Sequence, residues 1–356
     1  MPWSQPARWL RRKALPVFLN HTPPQHAETV ARAVVGACRV DGWAAPTQPK
    51  LLRTLFHDLM GHDFDFETLE PNTPGEAAAA LRSAEERQEL VQLMCAIEVL
   101  SESMLERTEE SVATWARALD VPERGLVVLR DLAAGEFRKM LEDFYRLNWI
   151  GDLSRRESGF GRLLELGGEE AYAQTVEPDP KKAARYQNLA TCPEGSLGRY
   201  LYEFYQKRGF GFPGEEGAAS EAVAHHDWIH LLSDYGTTPL GEIEVVSFMT
   251  TCTRTPGAML GLIGALALFE SGVMREGFVT GSTPHQGLSR PGGIDRMSEA
   301  IARGKACSTD LLLDVDYFTM ADEPLVDLRE RFDIPTKSPT VQSLDPWGAL
   351  EVEPAT

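Results

Sequence analysis

The chain has 356 residues, of which 43% are hydrophobic and 25% charged, the composition of an ordinary globular protein long enough for two cores. Its 53 acidic and 35 basic side chains leave a formal net charge of −18. That balance excludes nucleic acid as a partner, since no broad basic surface is expected to neutralise phosphates, and it disfavours broad docking on anionic membranes.

The N-terminus is a local exception. Trp3, Arg8, Trp9, Arg11, Arg12 and Phe18 mix cations with aromatics, as a segment lying on a membrane interface would. A helix packed across two halves of the chain is the alternative. Pro16 and the broken apolar run argue against a signal peptide. The five cysteines, at 38, 95, 192, 252 and 307, form no C-x-x-C pair, and their odd number does not suggest a disulfide frame. They fit a reducing cytoplasm.

Further on, His57-Asp58 and His62-Asp63 look like paired metal ligands. Their five-residue spacing turns the second imidazole about 140° from the first on a helix. Gly61 also interrupts them, and Asp63-Phe-Asp65-Phe-Glu67 lacks the glycine of a calcium loop, so the region is expected to be a solvated loop or helix end. Glu85 to Leu119 repeats apolar residues mostly at threes and fours and predicts a long amphipathic helix, with a further helix over Leu126 to Arg146. Glu102, Glu106, Glu109 and Glu110 are expected to form a solvated face. Glu89-Leu-Val-Gln-Leu-Met-Cys-Ala-Ile97 and its acidic continuation faintly resemble the helical TerB-like tellurite-resistance domain, over residues 27 to 145. A Gly-rich stretch, Gly159-Phe-Gly161 and Glu165 to Glu169, followed by Val176-Glu-Pro-Asp-Pro180, places a domain boundary near 150 to 180.

The most informative segment is His226, Asp227, His230 and Glu242, in the pattern H-D-x-x-H-x11-E. Ala218 to Leu232 lacks Gly and Pro and reads as helix, so His226 and His230 lie one turn apart on one face, with Asp227 beside them. Ser233 to Pro239 is dense in turn residues. Gly236 is expected to end the first helix as a left-handed cap, and Thr238 to cap a second helix with Pro239 at its first position. Folding back at that turn brings Glu242 opposite His230. Two imidazoles and two carboxylates suit zinc, iron or manganese. His225 points about 100° away from His226 and is expected to pack beside the site rather than ligate. An alternative with His225 in place of His226 leaves poorer spacing to His230.

Gly257 to Phe269 is the longest apolar run, and at roughly 20 Å as a helix it falls short of a bilayer core. Gly257, Gly261 and Gly264 leave space along it for a neighbouring helix or a lipid chain. Residues 338–356 are rich in Pro, Ser and Glu and are expected to form a flexible tail. Strand signals are sparse, so the chain is expected to be all-α: a helical domain over 27–150, a metal-binding helical domain over 180–337, and the tail.

From Arg185 to Pro335 the chain resembles the fourth protein of coenzyme Q biosynthesis, the Coq-four family of ubiquinone biosynthesis proteins. The signature of that family is the same H-D-x-x-H-x11-E pattern. Gly195-Ser-Leu-Gly-Arg-Tyr-Leu-Tyr-Glu-Phe204 is similar to its Gly-Thr-Leu-Gly segment, Thr238-Pro-Leu-Gly-Glu-Ile243 to its hairpin start, and Leu311 to Ile334 to its C-terminal helix. The resemblance implies a divalent metal, zinc first, at His226, Asp227, His230 and Glu242, and a tunnel for an isoprenoid tail in which the three glycines would serve. It implies oxidative decarboxylation at ring carbon one of a prenylated hydroxybenzoate. The implied partners are a prenylated aromatic or isoprenoid lipid and other quinone-biosynthesis proteins; a homodimer is left open by the sequence, and the expected location is the cytoplasm or the periphery of a membrane. The competing expectations are a lipid-presenting scaffold stapled by the metal, and a helical phosphohydrolase needing a further distant His and Asp.

Overall fold

The computed structural model describes residues 21–101, 105–155, 174–175, 177–255, 257–274, 287–345 and 348–351. The N-terminal aromatic and basic segment and the Gly159 to Glu169 stretch lie outside them, as does Glu102. The fold is all-α: among the described residues no strand forms, only isolated bridges such as Ser196 to Pro324.

Among the described residues, eight helices occupy the first half: α1 Ala27–Cys38, α2 Thr47–Met60, α3 Pro74–Ala80, α4 Ala84–Glu98, α5 Leu105–Leu119, α6 Arg124–Ala133, α7 Phe137–Leu147 and α8 Trp149–Ser154. Local chemistry sets several starts. Thr73 with Glu76, and Ser83 with Glu86, form reciprocal capping boxes at α3 and α4. The long helix expected over Glu85 to Leu119 is instead two, α4 and α5, broken after Glu98. A single rod of about 50 Å would carry much of its apolar face beyond the core; the break lets α5 fold back on α4. The expected Leu126 to Arg146 helix is likewise split, at Gly135, whose φ of 71° ends α6.

The second half holds α9 Pro180–Gln187, α10 Leu197–Arg208, α11 Glu221–Ser233, α12 Pro239–Cys252, α13 Ala258–Phe269, α14 Gly293–Ala306, α15 Leu325–Arg331 and α16 Pro339–Leu344. The apolar α13 is buried along its length, and no helix among the described residues is long and apolar enough to cross a membrane. It packs against α12, α4, α6, α7 and α8, and α14 packs against both α12 and α2. The buried side chains therefore form one cluster that runs from Ala27 to Ala349, shared by both halves. Ser271 Oγ donates to Val99 O at 2.6 Å and Ser298 Oγ to Asp58 at 2.6 Å, tying the halves further.

The faces of Gly257, Gly261 and Gly264 take protein rather than a lipid tunnel. A Cβ on Gly257 would meet Asn148 backbone at 2.3 Å, one on Gly261 the Trp149 ring at 2.6 Å, and one on Gly264 the Phe144 ring at 2.2 Å. The glycines exist so that the end of α7 and the start of α8 can lie directly on α13. Gly264→Ala is expected to cost about 1–3 kcal/mol through overpacking against Phe144, read as a lower urea midpoint.

The tail expected over 338–356 is folded as far as it is described. Val341 and Ala349 are buried, Lys337 pairs with Asp345 at 3.0 Å, and Ala349 N donates to Asp234 Oδ1 at 3.2 Å. Its few apolar residues suffice because buried ion pairs and backbone hydrogen bonds fasten it to the body.

Candidate metal centre

Ser220 starts α11 by accepting from Val223 N, and the helix presents His226 and His230 one turn apart, ring centroids 5.0 Å from each other. The helix ends at Asp234, not Gly236: Asp234 adopts the left-handed conformation at φ 62°. Thr238 accepts from Gly241 N and Pro239 takes the first position of α12, as its sequence predicts. The return places Glu242 in the first turn of α12, facing both imidazoles. His226 Nε2 lies 3.6 Å from one Glu242 oxygen and His230 Nε2 3.4 Å from the other. One ligand atom each from His226, Asp227 and His230 also falls within 4.8 Å of the others, a His/Asp group able to hold a metal. The compact group is thus His226, Asp227 and His230, with Glu242 facing the two imidazoles from α12.

Their hydrogen bonds define which atoms face that point. Nδ1 of His230 is 2.9 Å from Tyr235 O, and a carbonyl can only accept, so Nδ1 carries the proton and Nε2 a lone pair. His226 Nδ1 donates to Val223 O in the same way. Asp227 receives the Tyr205 hydroxyl on Oδ2, and its Oδ1 lies 3.6 Å from Nδ1 of His226. His230, 0% exposed, has its Nε2 buried with no hydrogen-bond partner. An unpartnered buried polar nitrogen costs about 1–3 kcal/mol, a cost that a bound cation would remove.

A divalent cation fits this arrangement. Nε2 of His230 and of His226 face the two Glu242 oxygens at 3.4 and 3.6 Å, longer than a good N–H···O bond. A tetrahedral zinc, with bonds of about 2.0–2.1 Å, sets its donors about 3.3 Å apart, close to both separations. The charge balance agrees. Burial pulls the His226 imidazolium down, yet Asp227 and Glu242 outweigh it and push His226 up to about 9. Burial raises the Asp227 carboxyl, opposed by the two imidazoles. Burial also opposes ionisation of Glu242, but His230 and His226 win and hold it well below the usual carboxylate range. Two buried carboxylates thus draw positive charge between them, as a proton on His226 or as a cation in its place.

Other side chains finish the site. Trp149, from the first half, sets its ring 5.8 Å from that of His226, and Phe204 lies 5.8 Å from His230. Tyr205 is fully buried, stacked on Phe212 at 5.3 Å. These three partners were not legible in the sequence, since nothing in helical spacing relates residue 149 or 205 to the α11 pattern. Tyr205→Phe is expected to weaken zinc binding about 10- to 100-fold in a chelator competition, because it frees Asp227 to rotate.

His225 turns away from the cluster. Its Nε2 lies 3.3 Å from Leu311 O and its ring 4.9 Å from Tyr317, and burial pulls its pKa to about 4. It packs α11 against the 311–317 segment. The other candidate pairs stay apart: His57 Nδ1 bonds Asp63 at 2.9 Å on the exposed surface, His62 stacks on Phe64, and Asp58 accepts from Ser298. Among the described residues, no second His/Cys/Asp/Glu group is close enough to hold a metal.

No family model matches the chain, and no curated protein does. Among solved structures, the chain is similar to the "Putative ubiquinone biosynthesis protein" of Nostoc punctiforme, at 14% identity, covering 69% of this chain and 97% of that one with a TM-score of 0.33. So loose an overlap carries no argument about chemistry, which rests on the geometry above.

Proposed function

We propose that His226, Asp227, His230 and Glu242 hold one divalent cation, zinc first, and that the protein acts in ubiquinone biosynthesis on an oxygen-bearing aromatic substrate. The observation that carries the metal reading is the buried His230 Nε2, without a hydrogen-bond partner, 3.4 Å from a Glu242 oxygen and grouped with His226 and Asp227. The quinone reading is supported by the order H-D-x-x-H-x11-E with its three flanking stretches, and its finer form is oxidative decarboxylation at ring carbon one of a prenylated hydroxybenzoate. When bound, the cation supplies Lewis acidity toward a phenolate or carboxylate oxygen.

The chain's own groups prepare the site. The Tyr235 and Val223 carbonyls fix both imidazoles as Nε2 donors. Tyr205 orients Asp227, and its own burial keeps its hydroxyl protonated. Phe204 and Trp149 exclude water from the histidine faces, which strengthens every charge interaction inside. Comparing quinone intermediates in cells with and without the gene tests the reading. Accumulation of a carboxylated prenylphenol supports it; an unchanged profile places the function outside quinone synthesis.

A further inference from the structure

Four protein ligands would fill a tetrahedral cation and leave a substrate no place to bind. The hydrogen bonds of the four side chains differ in a way that answers this. Three are anchored from behind: His226 by Val223 O, His230 by Tyr235 O at 2.9 Å, and Asp227 by the Tyr205 hydroxyl. All three belong to α11. Glu242 comes from the other arm of the hairpin, and among the described residues its carboxylate forms ion pairs only with the two imidazoles. Its side chain is 18% exposed, close to the 16% of His226 and above the 8% of Asp227 and 0% of His230.

We propose that Glu242 is the exchangeable ligand: His226, Asp227 and His230 retain the cation, and the Glu242 carboxylate yields its place to an incoming anionic oxygen donor such as a carboxylate or phenolate. The proposal rests on the metal reading above. An anchored ligand must break a buried hydrogen bond to leave, at a cost of about 1–3 kcal/mol, whereas Glu242 has none to break beyond the cluster itself. Exchange of one oxyanion for another keeps the buried charge constant, which selects anionic over neutral oxygen ligands. A side chain at the first turn of a helix also swings toward solvent without disturbing the packed α12 behind it; only Glu242 N, bonded to Thr238 O at 2.8 Å, is held there.

Cobalt(II) in place of zinc gives a visible spectrum that reports ligand number. Glu242→Ala is expected to keep one cobalt per chain with affinity within about ten-fold of wild type, while Asp227→Asn and His230→Ala lose more than about a hundred-fold. Acetate is the probe of the vacated place. It should return the Glu242→Ala spectrum toward wild type, at concentrations at least about ten-fold below those that perturb wild type itself. Glu242→Gln, nearly the same shape, should show the same retention and guards against a folding defect in the alanine variant. If both Glu242 variants lose cobalt as severely as Asp227→Asn, or if acetate leaves the Glu242→Ala spectrum unchanged, Glu242 is a fixed ligand and the proposal is wrong. Wild-type protein that takes up no cobalt would instead overturn the metal reading, and this proposal with it.

Discussion

His230→Ala is expected to purify without metal and to unfold at a markedly lower urea concentration than wild type. Three effects add. The ring is fully buried against Phe204, so its loss opens a cavity in the wall of α10 and α11. Its Nδ1–H also ties the helix to Tyr235 O, in the turn that delivers α12. Without its Nε2, the two carboxylates are left with one imidazole to balance them. Cavity and broken hydrogen bond together come to about 3–5 kcal/mol. Any cation that binds only the folded state adds its own linkage, so wild type should lose stability on chelation and His230→Ala should not respond. Elemental analysis and urea unfolding, each with and without chelator, read all of this. Full metal occupancy in the variant would remove His230 from the ligand set.

Arg296→Met is expected to destabilise by about 3–5 kcal/mol, although it lies away from the metal centre. Glu244 on α12 is 0% exposed, and Arg296 on α14 binds it through two bonds, at 2.9 and 2.6 Å. Arg296 also reaches Asp345 at 3.1 Å, which pairs with Lys337 at 3.0 Å. Burial already pushes the Glu244 carboxyl up, and Arg296 is the main opposing influence. Removing the guanidinium leaves a buried carboxylate that must take a proton or remain unpaired. It also loosens residues 337–345 from the body. The double variant Glu244→Met with Arg296→Met should recover most of the loss, because replacing both partners removes the stranded charge. Urea midpoints of the three proteins decide this; a double variant no better than Arg296→Met alone would show that packing, not charge, sets the cost.

The hairpin was legible because its information is local. Four-residue spacing puts His226 and His230 on one face, and Thr238-Pro239 starts α12 so that Glu242 returns to them. The cap was misplaced because its reason is distant: Asp234 accepts from Ala349 N and lies 3.7 Å from Arg329, and these contacts favour Asp over Gly236 in the left-handed position. The folded tail was hidden for the same reason, since Asp345 and Ala349 act through Arg296 and Asp234, far away in sequence. Gly257, Gly261 and Gly264 marked a close approach correctly, but spacing alone could not say that Asn148, Trp149 and Phe144 make it. That contact also carries Trp149 to His226, so the first half of the chain supplies one wall of the site.

X-ray absorption at the metal edge of the purified protein tests the central claim most directly. A first shell of two imidazole nitrogens and two carboxylate oxygens at about 2.0–2.1 Å, with one metal per chain, is the predicted result. A sulfur-containing shell, or no stoichiometric metal at all, would contradict it.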